Sequence, residues 1–156
     1  MELNRSREDY LKTMLVLQWE KGEIRSTDVA EYLDVTRPSV SHTVRFLKEG
    51  GFLTMDKSKK ICLTPLGRQV AGQLYERHCI IKEFLLFLGV EPEIAGQDAC
   101  RIEHDISGQS FEKLKAYWEK HKGSASRHRR ELCKSFTRKY TDPAAPSDGY
   151  AEDDDT

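Results

Sequence analysis

Three side chains that can bind a metal ion are grouped in one short segment, DACRIEHD, at residues 98 to 105. The segment is typical of a helix, in which Cys100, Glu103 and His104 fall within an arc of roughly 100°. The neighbouring arc holds Ala99, Ile102 and Ile106; it is apolar and is expected to be buried, so the three donors project from the border of a buried face. Thiolate, carboxylate and imidazole together can bind a transition metal. The same spacing also fits a half-buried cysteine beside a surface Glu–His pair, so the segment alone leaves both interpretations open.

Length and composition limit the class of protein. The 156 residues can bury a hydrophobic core as one compact unit or two small ones. Charged residues make up 33% and apolar residues 38%, which is typical of a helix-rich globular protein. The net charge of −1 conceals an uneven distribution: residues 36 to 60 contain six Lys/Arg against two acids, and residues 120 to 139 contain eight against one. These local patches, rather than the whole-chain charge, therefore indicate the partners.

Cysteine spacing and hydropathy predict the compartment. The four cysteines, at positions 62, 79, 100 and 133, form no C-x-x-C pair, which argues against a zinc ribbon and a disulfide framework. The segment MELNRSREDY lacks the apolar stretch of a secretory leader. The most apolar run, CIIKEFLLFLGV, is interrupted by Lys82 and Glu83, so we predict no membrane span and no membrane partner. We expect a cytoplasmic protein in a reducing environment.

Residues 1 to 64 are predicted to begin with three helices. A first amphipathic helix covers residues 7 to 21, and Ser26 is expected to cap a short second helix. Thr36 is expected to cap the third helix, in whose first turn Pro38 is tolerated. The inward-facing positions of this third helix are Val40, Val44 and Leu47.

Two strand-like segments, GFLTMD and KICLT, follow the third helix and are joined by the basic turn KSKK. Three helices and a basic hairpin predict a winged helix-turn-helix, whose recognition helix lies in the major groove of DNA. Arg can bind guanine edges or phosphate, and Ser and His can donate to phosphates. The predicted contacts to double-stranded DNA are Arg37, Ser39, Ser41, His42, Arg45, Lys57, Lys59 and Lys60. The alternative is a tri-helical domain used only for protein contacts.

Residues 65 to 122 are predicted to form an α-helical metal-binding and dimerisation domain. Its long first helix has an apolar stripe of Leu66, Val70, Leu74, Ile81, Leu85 and Leu88. The apolar positions of its last helix are Phe111, Leu114, Tyr117 and Trp118. The stripe is too large for the small N-terminal domain to cover, so we expect a homodimer and a palindromic operator. Residues 123 to 156 are predicted to be a basic and then acidic tail, partly disordered.

Several motifs carry a resemblance to a known family. They are EDYL in the first helix, the recognition turn PSVS, LTPLGRQVA, RH in the long helix, and ACRIEH. The stretch from residue 8 to about residue 120 resembles the family of the diphtheria toxin repressor and the manganese transport regulator. This resemblance implies a dimeric winged-helix repressor of metal-ion homeostasis genes, in which Mn(II) or Fe(II) binds between the two domains. It implies the ligands Asp9, His78, Cys100, Glu103 and His104.

The ligand set implied by this resemblance is a hybrid. Asp9 matches the manganese regulators, whereas toxin repressors have Met there. Cys100 matches the toxin repressors, whereas manganese regulators have Glu. Lys12 stands where manganese regulators have a second carboxylate, and Lys82 stands where toxin repressors have an ancillary Glu, so a second metal site is disfavoured. His78 lies on an apolar stripe, so it can be an ordinary core histidine. The alternative, which the resemblance favours, is that His78 is a metal ligand or the hydrogen-bond partner of one.

Two rival functions predict different things. A winged-helix regulator of transcription that senses a non-metal ligand would share the first 64 residues, but it would have no reason to align Cys100, Glu103 and His104. Chelation would leave its DNA binding unchanged. A metallohydrolase would need an open coordination position in a substrate cleft. Because the chain has no nucleophile motif, phosphate loop or H-E-x-x-H helix, we predict that it is not an enzyme.

Overall fold

The computed structural model describes residues 3 to 122, which form six helices and three strands. The elements in chain order are α1 (Arg5–Lys21), β1 (Ile24–Arg25), α2 (Ser26–Leu33), α3 (Arg37–Glu49), β2 (Leu53–Met55), β3 (Lys60–Leu63), α4 (Pro65–Phe87), α5 (Pro92–Asp105) and α6 (Gly108–His121). This mainly α fold with a small β wing is the predicted class. The predictions for the tail and for Cys133 fall outside the described residues.

Side-chain caps explain where α1 and α3 begin, but not where α2 begins. α1 begins earlier than expected because the side chain of Asn4 accepts a hydrogen bond from the Arg7 backbone N–H at 3.0 Å. α2 begins at Ser26 itself, so the prediction that Ser26 is the cap is wrong by one residue. α3 begins after the cap Thr36, as predicted, with Pro38 in its first turn.

The sheet contains one more strand than predicted. β2 and β3 form the expected antiparallel hairpin, with Leu53 opposite Leu63. β1 pairs with the other edge of β3, with Ile24 opposite Ile61, so the strand order is β1-β3-β2. A two-residue strand carries no alternation for the sequence to reveal, which is why the prediction missed it.

One hydrophobic core joins α1, α2, α3, the sheet and the start of α4. Its fully buried side chains include Leu11, Met14, Val40, Leu47, Leu53 and Leu63. Gly67 brings α4 close to the backbone before β2, since a Cβ there would lie 1.9 Å from the carbonyl oxygen of Phe52. The long helix α4 is therefore anchored directly to the winged-helix core.

The buried side of α5 differs from the expected one. Ala95, Ala99 and Glu103 are fully buried at four-residue steps, whereas Ile102 is 37% exposed. Two alanines let α5 pack closely on α4, and this packing turns Glu103 inward and Ile102 outward. The expectation that Ile102 faces the core is therefore wrong.

The predicted stripe of α4 is also only partly buried. Leu74 and Ile81 are buried, but Leu66 and Leu88 are exposed. On α6, Phe111 and Trp118 are buried and Tyr117 is exposed. Exposed apolar side chains therefore remain on α4, α5 and α6, as a surface used for dimerisation requires.

No helix within residues 3 to 122 has the length and hydropathy needed to cross a membrane.

Candidate metal centre

The five side chains that sequence reasoning selected as metal ligands meet at the junction of three helices. α1 supplies Asp9, α4 supplies His78, and α5 supplies Cys100, Glu103 and His104. Their donor atoms form two groups, each within 4.8 Å: His78 with Cys100 and Glu103, and Asp9 with Glu103 and His104. Glu103 belongs to both groups, so the two are halves of one cluster.

Both ring nitrogens of His104 contact carboxylates of α1. Nε2 lies 2.8 Å from Asp9 Oδ1, and Nδ1 lies 2.6 Å from Glu8 Oε2. The His104 side chain is only 2% exposed, so the ring is enclosed between two consecutive residues of α1. Glu8 was not predicted. The only sequence signal for Glu8 was its position next to Asp9. Consecutive residues of a helix point about 100° apart, so a partner shared by the two was not expected.

Glu103 is a fully buried carboxylate whose oxygens face two basic groups. The Lys12 ammonium contacts Oε1, and His78 Nδ1 lies 2.8 Å from Oε2. Lys12 also lies 3.8 Å from Asp9 Oδ1, so its ammonium stands between the carboxylates of α1 and α5. Burial of a charged carboxylate is unfavourable without such partners.

His78 and Cys100 form a polarised pair, with Sγ 3.6 Å from Nδ1. The contact with Cys100 and then the hydrogen bond with Glu103 raise the pKa of His78 to about 9. The hydrogen bond with His78 lowers the pKa of the Cys100 thiol from its ordinary value. This geometry shifts the pair towards imidazolium and thiolate. His78 thus takes part in the cluster and is not a histidine surrounded only by the apolar core.

The backbone at the end of α5 is held by α4. Arg77 Nη1 donates to the carbonyl oxygens of Glu103 and Ile106, both at 3.3 Å. The Arg77 guanidinium also lies over the ring of Phe111. These contacts fix the last turn of α5, which carries two of the clustered side chains.

The donor set suits a divalent transition metal. Imidazole, thiolate and carboxylate are the ligand types that iron, cobalt and zinc accept, and the carboxylates are also suited to manganese. A cavity of about 580 Å³ borders the cluster and reaches Asp9, His78 and Cys100. Lys12 and Lys82 line the same cavity. The cluster is therefore both chemically suitable for an ion and accessible to one.

Most of the predicted DNA-binding side chains of α3 and of the hairpin are exposed. In α3, where Val40, Val44 and Leu47 are buried, the exposed predicted contacts are Arg37, Ser39, Ser41, His42 and Arg45. In the hairpin, Lys57 and Lys59 are exposed. Lys60 differs because it is half-buried and its Nζ lies 2.5 Å from Glu23 Oε1. Lys60 therefore has a partner within the protein, next to β1.

This fold and cluster define a class of protein: a DNA-binding transcriptional regulator with a metal-binding helical domain. Family models agree with that class. Residues 2 to 61 match the N-terminal DNA binding domain of the iron dependent repressor, and residues 64 to 129 match its metal binding and dimerisation domain.

Individual relatives support the same assignment. The chain is 38% identical over 118 residues to the transcriptional regulator MntR of Salmonella typhimurium, which covers 76% of this chain and 75% of that protein. It is 35% identical over 109 residues to the HTH-type transcriptional regulator MntR of Geobacillus kaustophilus, which covers 70% and 77%. The chain therefore belongs to the iron-dependent repressor family, which includes these MntR regulators.

Solved structures share the fold. The manganese regulator SloR has a TM-score of 0.66 at 30% identity, over 76% of this chain and 55% of that chain. The metal-dependent transcriptional regulator MtsR has a TM-score of 0.68 at 29% identity, over 72% and 53%. This chain thus spans about half the length of those solved chains. The family confirms the predicted class, a metal-responsive transcriptional repressor with a divalent metal cofactor, and this class is not an enzyme.

Proposed function

We propose that this chain is a homodimeric repressor that binds a palindromic operator when it holds Mn(II) or Fe(II), and that it controls genes of metal-ion homeostasis. The observation that carries this proposal is the contact between Asp9 of α1 and His104 of α5 at 2.8 Å. It joins the winged helix to the helical domain through two side chains that can bind one ion. Because its operator would lie on the chromosome, we propose that the protein acts in the cytoplasm.

We propose Asp9, Cys100, Glu103 and His104 as the principal ligands, with His78 as a further ligand. Their donor atoms already lie close together, and Glu103 is shared by both halves of the cluster. When bound, the ion supplies a positive charge that attracts carboxylates of both α1 and α5. Asp9 then holds α1, and Glu103 and His104 hold α5, in one arrangement of the two domains.

We propose that each protomer holds one ion. Lys12 places an ammonium against Glu103 and near Asp9, so a second divalent ion in the cluster would lie close to both the first ion and this ammonium. Two like charges at such short separation repel each other strongly in a partly buried site. The lysine therefore acts as the second positive charge of the cluster.

The identity of the metal is set by competing ligand preferences. Several relatives are named as manganese regulators, and Asp9 and Glu103 provide the oxygen ligands that manganese prefers. Cys100 adds a sulfur ligand, which favours Fe(II) over Mn(II). We propose that both ions activate the protein and that the site is less selective for manganese than an all-oxygen and imidazole site.

We propose that residues 1 to 64 bind DNA and residues 65 to 122 bind metal and dimerise. The exposed residues of α3 suit base edges and phosphates, with Arg37 and Arg45 as the strongest candidates. Lys57 and Lys59 suit the DNA backbone beside the groove, and we assign Lys60 a lesser role because it is paired with Glu23. Exposed Leu88, Ile102 and other apolar residues of α4 to α6 suit the dimer interface.

One experiment tests the proposal as a whole. Operator DNA is selected from a random-sequence pool with metal-loaded protein, and gel-shift titrations then compare Mn(II), Fe(II), Zn(II) and a chelator. We expect selection of a palindrome with half-sites about one helical turn apart. We also expect binding with Mn(II) and Fe(II) to be lost on chelation. Binding that is equally tight with the chelator would favour a regulator that senses something other than a metal.

A further inference from the structure

We infer that Glu8 is a positioning residue of the metal centre: it holds the Nδ1 proton of His104, so that the ring presents Nε2 to the ion. The inference rests on the proposed function, because it concerns the same cluster. Glu8 belongs to neither group of clustered donor atoms. It acts on the ion only through the orientation and protonation of the His104 ring.

The geometry distinguishes the two faces of His104. Nδ1 lies 2.6 Å from Glu8 Oε2, whereas Nε2 lies 2.8 Å from Asp9 Oδ1 and 3.4 Å from Glu103 Oε1. Only Nε2 therefore faces the two carboxylates that could share an ion with the ring. A side chain that is 2% exposed has no space to exchange these partners with water.

The chemistry of a neutral imidazole explains why Glu8 matters. Such a ring has one N–H donor and one lone-pair acceptor, and its neighbours determine which nitrogen carries the proton. An ionised carboxylate only accepts hydrogen bonds. Glu8 therefore stabilises the tautomer with the proton on Nδ1 and leaves the Nε2 lone pair for the ion.

The location of Glu8 adds a structural consequence. Glu8 and Asp9 are consecutive residues of α1, so one turn of this helix contacts both sides of the same ring. The winged helix thus supplies one proposed ligand and the residue that orients another. The contact through Glu8 also keeps α1 against α5 when the ion is absent, which preorganises the site.

Substitution of Glu8 separates positioning from charge. Glu8→Ala removes the acceptor, and Glu8→Gln removes the negative charge but keeps an oxygen that can accept from Nδ1. Glu20→Ala is the matched control, because Glu20 is an exposed acid at the other end of α1. Affinities of the full-length variants for Mn(II) and Zn(II) are measured by competition with a chromophoric chelator, after circular dichroism shows that each variant folds.

We expect Glu8→Ala to weaken metal binding about 10- to 100-fold, the effect typical of a lost outer partner of a metal-bound histidine. Glu8→Gln should recover most of that loss, and Glu20→Ala should bind like the wild type. An affinity of Glu8→Ala equal to that of the wild type would overturn the inference. Equal losses for Glu8→Ala and Glu8→Gln would also overturn it, because the effect would then be one of charge alone.

A spectroscopic measurement tests the tautomer directly. Long-range ¹⁵N–¹H correlation spectra of the Zn(II)-loaded protein, with His104 assigned by His104→Gln, should show the proton on Nδ1 and the metal on Nε2. The opposite assignment would contradict the role of Glu8 while leaving the metal site intact. Failure of the proposed function is distinguishable, because it would appear in the wild-type protein itself, either as no metal binding in the competition assay or as operator binding that the chelator leaves unchanged.

Discussion

Asp9 Oδ1 and His104 Nε2 lie 2.8 Å apart although 95 residues separate them in the chain. The two residues come from the first helix of the winged domain and from the ligand-bearing helix of the second domain. An ion that both bind can promote DNA binding only if it binds more tightly to the DNA-competent arrangement of these helices than to others. A coupling free energy of about 1–3 kcal/mol is typical of such linkage.

Removing Glu103 or His104 should therefore uncouple DNA binding from metal binding. We expect Glu103→Ala and His104→Ala to abolish metal-dependent operator binding, because the remaining donors cannot hold α1 and α5 to one ion. The dimer should persist, since its apolar surface on α4 to α6 is unchanged. Gel shifts with and without Mn(II), together with analytical ultracentrifugation, measure both properties.

Asp98→Ala is a suitable control for these variants, because Asp98 lies on α5 outside the cluster and pairs only with Arg101 among the described ion pairs. It should retain the wild-type metal response. Metal-dependent repression that survives in Glu103→Ala and His104→Ala would show that the ion binds elsewhere.

Substitutions on α3 and on the hairpin should weaken DNA binding in different ways. Arg37→Ala or Arg45→Ala should cost about 1–3 kcal/mol with the specific operator, because arginine makes the strongest contacts to base edges. Lys59→Ala should weaken binding similarly on all sequences and reduce its dependence on salt, as the loss of a phosphate contact does.

Fluorescence anisotropy with operator and scrambled DNA at several salt concentrations separates these two effects. Lys120→Ala serves as a charge-matched control, because Lys120 is exposed on α6. If all four variants bind alike, α3 is not the recognition helix.

Contact between α4 and the wing backbone should limit substitution at Gly67. A Cβ at this position would lie 1.9 Å from the carbonyl oxygen of Phe52, and neither backbone can move without disturbing the core. We expect Gly67→Ala to lower the free energy of unfolding by about 1–3 kcal/mol, as overpacking typically does. Urea denaturation measures the change, and a stability equal to that of the wild type would show that the helix shifts freely.

Much of the cluster could be predicted from sequence, because spacing on α5 and the family motifs indicate which side chains share a site. Asp9, His78, Cys100, Glu103 and His104 do converge. The complete burial of Glu103 could not be predicted, since it depends on the close approach of two alanines to α4. The apolar periodicity of α5 suggested that Ile102 lies on the buried side. Such a pattern reflects only the polarity of each residue, and it does not include the partners that can neutralise a buried carboxylate.

The contacts of Glu8 and Lys12 illustrate a second limit. Both residues belong to α1, and both reach α5 across more than ninety residues of sequence. Such pairs depend on how two helices are placed against each other, which a local pattern does not encode. The helix caps at Thr36 and Thr64 were predictable, because a cap is decided by neighbours only three residues away.

Metal affinity should rise with pH towards about 9 if His78 is a ligand. Its contacts with Cys100 and Glu103 raise the pKa of His78 to about 9, so below that pH an ion must displace a proton. Each pH unit below this value should weaken binding by about tenfold for that proton. Competition titrations from pH 6.5 to 8.5 measure the slope, and His78→Ala should reduce it by one proton.

The same proton affects the stability of the metal-free protein in the opposite direction. The pKa of His78 is higher in the folded state than in the unfolded state. The contribution of His78 to the free energy of unfolding is therefore complete below about pH 6.5 and is lost as pH rises through about 9. The pKa of Cys100 is lowered, so its contribution to the free energy of unfolding is present at alkaline pH and is lost as pH falls through its folded-state value.

A pH-independent metal affinity in the wild type would indicate that His78 is not a ligand.

Lys12 should limit the cluster to one ion, and Cys100 should limit its preference for manganese. Lys12→Glu replaces the ammonium near Asp9 and Glu103 with a carboxylate, so we expect calorimetry to detect a second Mn(II) per protomer. Cys100→Glu replaces sulfur with oxygen and should shift activation from Fe(II) towards Mn(II), because manganese prefers oxygen ligands. Lys120→Glu is the control for Lys12→Glu, since Lys120 is exposed on α6, which supplies none of the clustered side chains. Two tightly bound Mn(II) per wild-type protomer would mean that Lys12 leaves Glu103 on metal binding and that His78 completes a binuclear site.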